Sequence, residues 1–150
     1  MPRYARQKSP TGYYHIMIRG VNRQDIFFDD DDRQRFLDTV KRFQKELNIQ
    51  ITAYCLVSNH VHMLLHADEE LSVFVKKVSS SYVYWFNRKY GRVGHLFQDR
   101  YKSEVIDSSS YLMTAMRYIL RNPQKAGIFV LLKTINGAVF LNLKKVDSVI

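Results

Sequence analysis

The chain has 150 residues, of which 46% are hydrophobic, 13% aromatic and 25% charged, the size and balance of one folded domain with its own core. Lys and Arg outnumber Asp and Glu by 23 to 14, giving a net charge of +9 and a pI near 9.7, so a polyanion, with nucleic acid the first candidate, is the expected partner. No apolar run approaches the ~18 residues of a membrane span, no apolar signal core follows the arm from Met1 to Lys8, and the single Cys55 excludes an internal disulfide; a cytoplasmic, reducing setting is expected.

After that arm, Ser9-Pro10-Thr11-Gly12 is a turn signal, and Tyr13 to Arg19 alternates Tyr14, Ile16 and Ile18 against Tyr13, His15, Met17 and Arg19. This is a first strand, closed by Gly20. The block Asp29 to Asp32 suits a helix N-terminus, where carboxylates meet the helix dipole. From about Asp32 to Leu47 the residues Phe36, Leu37, Val40, Phe43 and Leu47 recur at helical spacing, which predicts the first helix. Ile49, Ile51, Ala53, Cys55 and Val57 alternate with polar and apolar neighbours as a second strand. Ser58-Asn59 then turns into a third, which runs to about His66 and forms a hairpin with the second. Cys55 reads as a buried, inert thiol.

Leu71, Phe74, Val75, Val78, Tyr82, Trp85 and Phe86 fall on one stripe and predict a second helix. The aromatics of this stripe read as core rather than as platforms for bases. A loop at Gly91-Arg92-Val93-Gly94 leads through His95 to Arg100 into a fourth strand from about Tyr101 to Ile106. Ser108 to Ser110 then offers capping chemistry for a third helix, with Leu112, Ala115, Met116 and Ile119 on its apolar face. The order strand, helix, strand, strand, helix, strand is that of an α+β, ferredoxin-like split βαβ fold, an antiparallel sheet with two helices on one face, here with an additional C-terminal helix. Asn136-Gly137 between two apolar runs signals a closing hairpin.

In the third strand Val61, Met63 and Leu65 can face the helices, which leaves His60, His62 and Leu64 on the open face. Two imidazoles one residue apart on a strand stand roughly 6.5 Å apart along the backbone, a spacing suited to a shared metal ion. On the third helix Tyr118 and Asn122 are four apart and therefore neighbours, with Tyr111 seven residues back on nearly the same line. Asn122 before Pro123 also suits the cap of a following turn.

The run Asn59-His60-Val61-His62-Met63-Leu64-Leu65 and, some fifty residues on, Arg117-Tyr118-Ile119-Leu120-Arg121-Asn122-Pro123-Gln124-Lys125-Ala126-Gly127 resemble the single-strand DNA transposases of the His-hydrophobic-His class with one catalytic tyrosine. Among these the chain looks most like the REP-associated tyrosine transposases. Tyr13 to Arg23, Ile26-Phe27 and Gly94 to Ser103 carry the same likeness, which spans about residues 13–127. The resemblance implies His60, His62 and Asn122 as ligands of Mg²⁺ or Mn²⁺ and Tyr118 as the nucleophile. It implies cleavage and rejoining of single-stranded or hairpin DNA through a 5′-phosphotyrosine. Arg19, Arg23, Arg88, Arg92, Arg100 and Lys102 are candidates for the DNA groove.

From Ile128 the likeness fades, and the divergent tail extends the sheet, pairs with a second chain, or is the remnant of an altered C-terminus. Many relatives work as dimers whereas the REP-associated group is expected to be monomeric, so the resemblance leaves a homodimer open, and no membrane partner is expected. Tyr111 is the rival nucleophile. Two other classes compete: a metal-dependent phosphodiesterase using water and the carboxylates of Asp68, Glu69 and Glu70, and a nucleic-acid-binding module without catalysis.

Overall fold

Alternation sets the first element. In β1 (Tyr13–Arg19) every second residue, Tyr14, Ile16 and Ile18, is buried, as a strand with one face on a core requires. A short helical turn at Val21–Arg23 leads to α1 (Asp30–Glu46), then β2 (Gln50–Val57), β3 (His60–His66), α2 (Leu71–Tyr90) and β4 (Lys102–Ile106). The computed structural model describes residues 5–98, 100–108, 114, 128–133, 139–140 and 144–145. The expected third helix, with Tyr111, Tyr118 and Asn122, lies outside the described residues, apart from Thr114, which is helical.

The strands form one antiparallel sheet in the order β4-β1-β3-β2, which is the split βαβ arrangement expected from the element order. It continues past β2 through β5 (Ile128–Lys133) to β6 (Val139–Phe140), while β7 (Lys144–Lys145) also pairs with β5. The tail therefore extends this chain's own sheet, and β5 and β6 are the expected hairpin, with Lys133 opposite Val139.

Both helices cover one face. Phe36, Leu37, Val40 and Phe43 of α1 and Phe74, Val78, Tyr82 and Phe86 of α2 share a buried cluster with Ile16, Ile18, Val61, Met63 and Leu65. The aromatic stripe of α2 is thus core, with Tyr82 and Phe86 fully buried and Trp85 partly so.

The acidic block does more than cap. Asp29 accepts the backbone N–H of Asp32 at 2.9 Å, the ordinary N-cap bond. Asp32 is itself fully buried and accepts from Phe28 N at 2.8 Å, Tyr90 Oη at 2.6 Å and Lys89 Nζ at 2.8 Å. Lys89 also reaches Asp29 at 2.8 Å. One lysine thereby locks the start of α1 to the end of α2.

Strand β2 departs from the simple alternation expected for it. A bulge at Thr52 shifts the register, so that Ile51 opposes Leu65 but Ala53 opposes Leu64. Ile51 faces the helices together with Tyr54 and Leu56, whereas Ala53, Cys55 and Val57 face the opposite side and form a second small cluster with Leu64 and Ile106. The expectation that Ile49, Ile51, Ala53, Cys55 and Val57 share one face is corrected by that extra residue, which reverses the strand's phase. The face opposite the helices is accordingly apolar and buried around β2, and polar toward β1 and β4. Cys55 is buried as expected, and desolvation pushes its thiol up to about 12.

Candidate active site

Register places the histidines. Across the β1–β3 ladder Arg19 opposes His60, Met17 opposes His62 and His15 opposes Leu64, while across β1–β4 Lys102 opposes Met17 and Glu104 opposes His15. All of these residues belong to one face, away from α1 and α2. Sequence reading put His60 and His62 there, and the structure brings Arg19 and Lys102 to the same face.

The two imidazoles stand at right angles, with ring centroids 4.9 Å apart and an interplanar angle of 82°. Each is held at Nδ1. His60 Nδ1 donates to Asn59 Oδ1 at 2.7 Å, so the turn residue before the strand sets its ring. His62 Nδ1 lies 3.0 Å from His15 Nε2, and His15 Nδ1 is 3.8 Å from Glu104 Oε2. Glu104, His15 and His62 thus form a chain across three strands. Sequence reading left His15 unassigned as an ordinary hydrogen-bonding residue; its place on the β1 face shared with Arg19 was the available signal, but its partner depends on the register between strands.

The electrostatics favour neutral rings. Burial lowers His60, with Arg19 adding repulsion. His62 is pushed down to about 3, first by burial and then by His15, His60 and Arg19. Burial also lowers His15, against the opposing pull of Glu104. A neutral imidazole keeps a lone pair for a metal, and an imidazole fixed at Nδ1 by a neighbour has the orientation and tautomer suited to coordination through Nε2. Among the described residues no group of three or more His, Cys, Asp or Glu side chains is placed to hold a metal ion; His60 and His62 are a pair of candidate donors.

The remaining predicted residues are dispersed. Arg23 follows the sheet's end, its carbonyl accepting from Asn59 Nδ2 at 3.4 Å. Arg88 lies on α2 against Tyr84, and Arg92 is engaged by Asn87 Oδ1 and Gln24 Oε1, both at 3.1 Å. Arg100 is exposed just before β4. Asp68, Glu69 and Glu70 follow the far end of β3, all exposed, with Glu69 paired to Lys8 at 3.5 Å. Six residue steps of chain, roughly 20 Å when extended, separate His62 from Asp68.

The model of the family described as "Transposase IS200 like" matches residues 8–122, and the chain belongs to that family. Among solved structures it is similar to a REP-associated tyrosine transposase bound to a REP hairpin, at 18% identity and a TM-score of 0.69 over 83% of this chain and 74% of that one. It is also similar to a protein described as a transposase from Deinococcus radiodurans, at 16% identity and a TM-score of 0.54 over 80% of this chain and 97% of that one. A bacterial tRNA(His) guanylyltransferase-like protein in complex with GTP shares the fold at 15% identity and a TM-score of 0.52, over 96% of this chain and 87% of that one. No curated protein sequence matches the chain.

Proposed function

We propose that the protein cuts and rejoins single-stranded DNA by transesterification at Tyr118, with a divalent cation, Mg²⁺ or Mn²⁺, held by His60, His62 and Asn122. The observation that carries this reading is the pair of neutral imidazoles on one sheet face, each fixed at Nδ1, in a chain of the IS200-like transposase family. The relative bound to a REP hairpin supports hairpin DNA as the substrate class.

A tyrosine phenol has an ordinary pKa near 10 and is protonated at neutral pH, so its attack on a phosphodiester needs neighbouring positive charge. Bound at the two imidazoles, a divalent ion would draw charge from the scissile phosphate and stabilise what develops on it. Asn59 and His15 hold the two rings in place, and Arg19, opposite His60 in the ladder, supplies a fixed cation on the same face. Tyr118 Oη forms the new bond to phosphorus while the bond from phosphorus to the 3′-oxygen breaks. The phenol gives up its proton and the leaving 3′-oxygen takes one up. The result is a 5′-phosphotyrosine and a free 3′-hydroxyl, and the stored ester lets a second 3′-hydroxyl reverse the step without ATP.

The test is retention of label on denatured protein after incubation with end-labelled single-stranded DNA containing a hairpin, in Mn²⁺. Label should be retained by the native chain and lost with EDTA, in Tyr118→Phe, and in His60→Ala with His62→Ala. Retention in Tyr118→Phe would move the nucleophile to Tyr111. Metal-dependent cutting without any adduct would replace the proposal with a hydrolytic nuclease, a reading for which the exposed Asp68 to Glu70 run offers no carboxylate close to the histidines.

A further inference from the structure

On the helix side of the sheet, between α2 and the loop from Gly94 to Tyr101, lies an open cleft of about 840 Å³. Its floor includes Ile18, whose side chain points away from the face that carries Arg19 and the histidines. The cleft is therefore separate from the candidate active site.

The composition of its walls is one-sided. Arg6, Lys76, His95 and Arg100 line it, and no carboxylate does so among the described residues. Arg6 and Arg100 repel one another, and this repulsion adds to burial in lowering the Arg6 guanidinium. Cations gathered on one wall favour the binding of an anion. The α2 wall adds the hydroxyls of Ser72, Ser79 and Ser80, the type of donor that binds phosphate oxygens. Two tyrosines flank the opening. Tyr84 is 66% exposed, and Arg88 lies over it at 5.6 Å. Tyr101 carries the Arg6 guanidinium at 3.6 Å from its ring centre and is tied to Ser72 at 3.0 Å. Cations, hydroxyl donors and an exposed ring in one groove are what a flexible nucleic-acid strand needs, with phosphates on the cations and a base on the Tyr84 ring.

The position adds a second argument. The loop is bonded to the end of β1: Gln98 N donates to the Arg19 carbonyl at 2.9 Å, Val21 N donates to the Leu96 carbonyl at 2.8 Å, and Gly20 bridges to Phe97. Beyond the loop, Arg100 is followed by Lys102 on the edge strand β4, and Lys102 opposes Met17 on the histidine face. A line of cations thus leads from the cleft around the sheet edge toward His62.

We infer that this cleft is a seat for a segment of single-stranded DNA outside the reacting phosphate, and that the strand passes round the β4 edge between the two places. The inference rests on reading the chain as an enzyme of single-stranded DNA. The volume is that of a few nucleotides of one strand.

The test measures binding of fluorescein-labelled oligothymidine, twenty nucleotides long, by anisotropy with the full chain in EDTA, which removes any metal contribution. Lys76→Glu with Arg100→Glu should weaken binding at least tenfold and flatten the dependence of log K on log salt by about 1.4, two phosphate contacts at the single-strand slope. Tyr84→Ala, which changes an exposed ring and no charge, should weaken binding severalfold with its salt slope unchanged. Arg42→Glu with Lys45→Glu, exposed on α1, changes the net charge equally and should stay within about twofold of the native chain. Equal weakening by both charge reversals, or none by the cleft variants, overturns the inference, as does failure of the native chain to bind the strand. The adduct assay judges the catalytic proposal separately: cleft-dependent binding without adduct would defeat that proposal alone, and adduct with cleft variants that bind normally would defeat this one alone.

Discussion

His15 shows how much a single residue can contribute to a site it does not itself define. Its Nε2 sits 3.0 Å from His62 Nδ1, and a residue that fixes the far nitrogen of a ligating imidazole typically changes metal affinity 10- to 100-fold when removed. His15→Phe should therefore weaken Mn²⁺ binding by about that factor, measured by electron paramagnetic resonance of free Mn²⁺. His15→Gln, which keeps a hydrogen-bonding group near the ring, should recover part of it. Equal thermal midpoints for the two variants would separate this effect from a loss of fold. Unchanged affinity in His15→Phe would show that His62 needs no orienting partner. This role was hidden from the sequence because it is a diagonal contact between β1 and β3. The His-Val-His pattern was legible because it lies within one strand, where the two-residue period alone places both rings on a face.

At the scale of elements, the tie between α1 and α2 runs through Asp32, fully buried and accepting from Phe28, Lys89 and Tyr90. Removing a buried carboxylate leaves these donors unsatisfied, so Asp32→Ala should destabilise by about 2–4 kcal/mol in urea unfolding. Asp32→Asn should lose less, because the amide oxygen still accepts. Asp29 is lowered from the ordinary carboxylate value, chiefly through its bond to Lys89. A depressed carboxylate stabilises above its unfolded pKa and loses that contribution as pH falls through the folded value. The tie should therefore weaken in acid, and Lys89→Met should flatten the acid limb of a stability–pH curve. The sequence showed the capping half of this arrangement, since four consecutive aspartates before an apolar periodicity have few other uses. It could not show the other half, because Asp32 and Lys89 are 57 residues apart and meet only when the two helices pack.

For the molecule as a whole, the sheet was the most legible feature and its tail the least. Each of β1, β3 and β4 has one clear period and one clear boundary signal, and the order of elements then leaves few ways to connect them. The divergent tail carried a hairpin signal but nothing that chose between this chain's edge and a second chain's. The pairing of Ala53 with Leu131 and of Cys55 with Phe129 makes it an extension of this sheet. Deleting residues 128–150 should therefore bare the edge of β2, an open ladder that recruits other strands. The truncated chain should elute as larger species in size-exclusion chromatography at concentrations where the full chain does not, and a monomeric truncated chain of unchanged thermal midpoint would show that the edge needs no cover.

The bulge at Thr52 also governs how this chain can change in length. Surface loops generally absorb an inserted or deleted residue at little cost, because nothing downstream depends on their count. In β2 the count is what matters. Losing the one extra residue that separates the Ile51 and Ala53 pairings would make those pairings consecutive and keep every later side chain on its present face, whereas losing a regularly paired residue such as Cys55 would send Leu56 toward the face of the histidines. Side chains along this strand can be exchanged for others of similar bulk, and Thr52 is the position in it from which a residue can be removed without turning the middle of the sheet inside out.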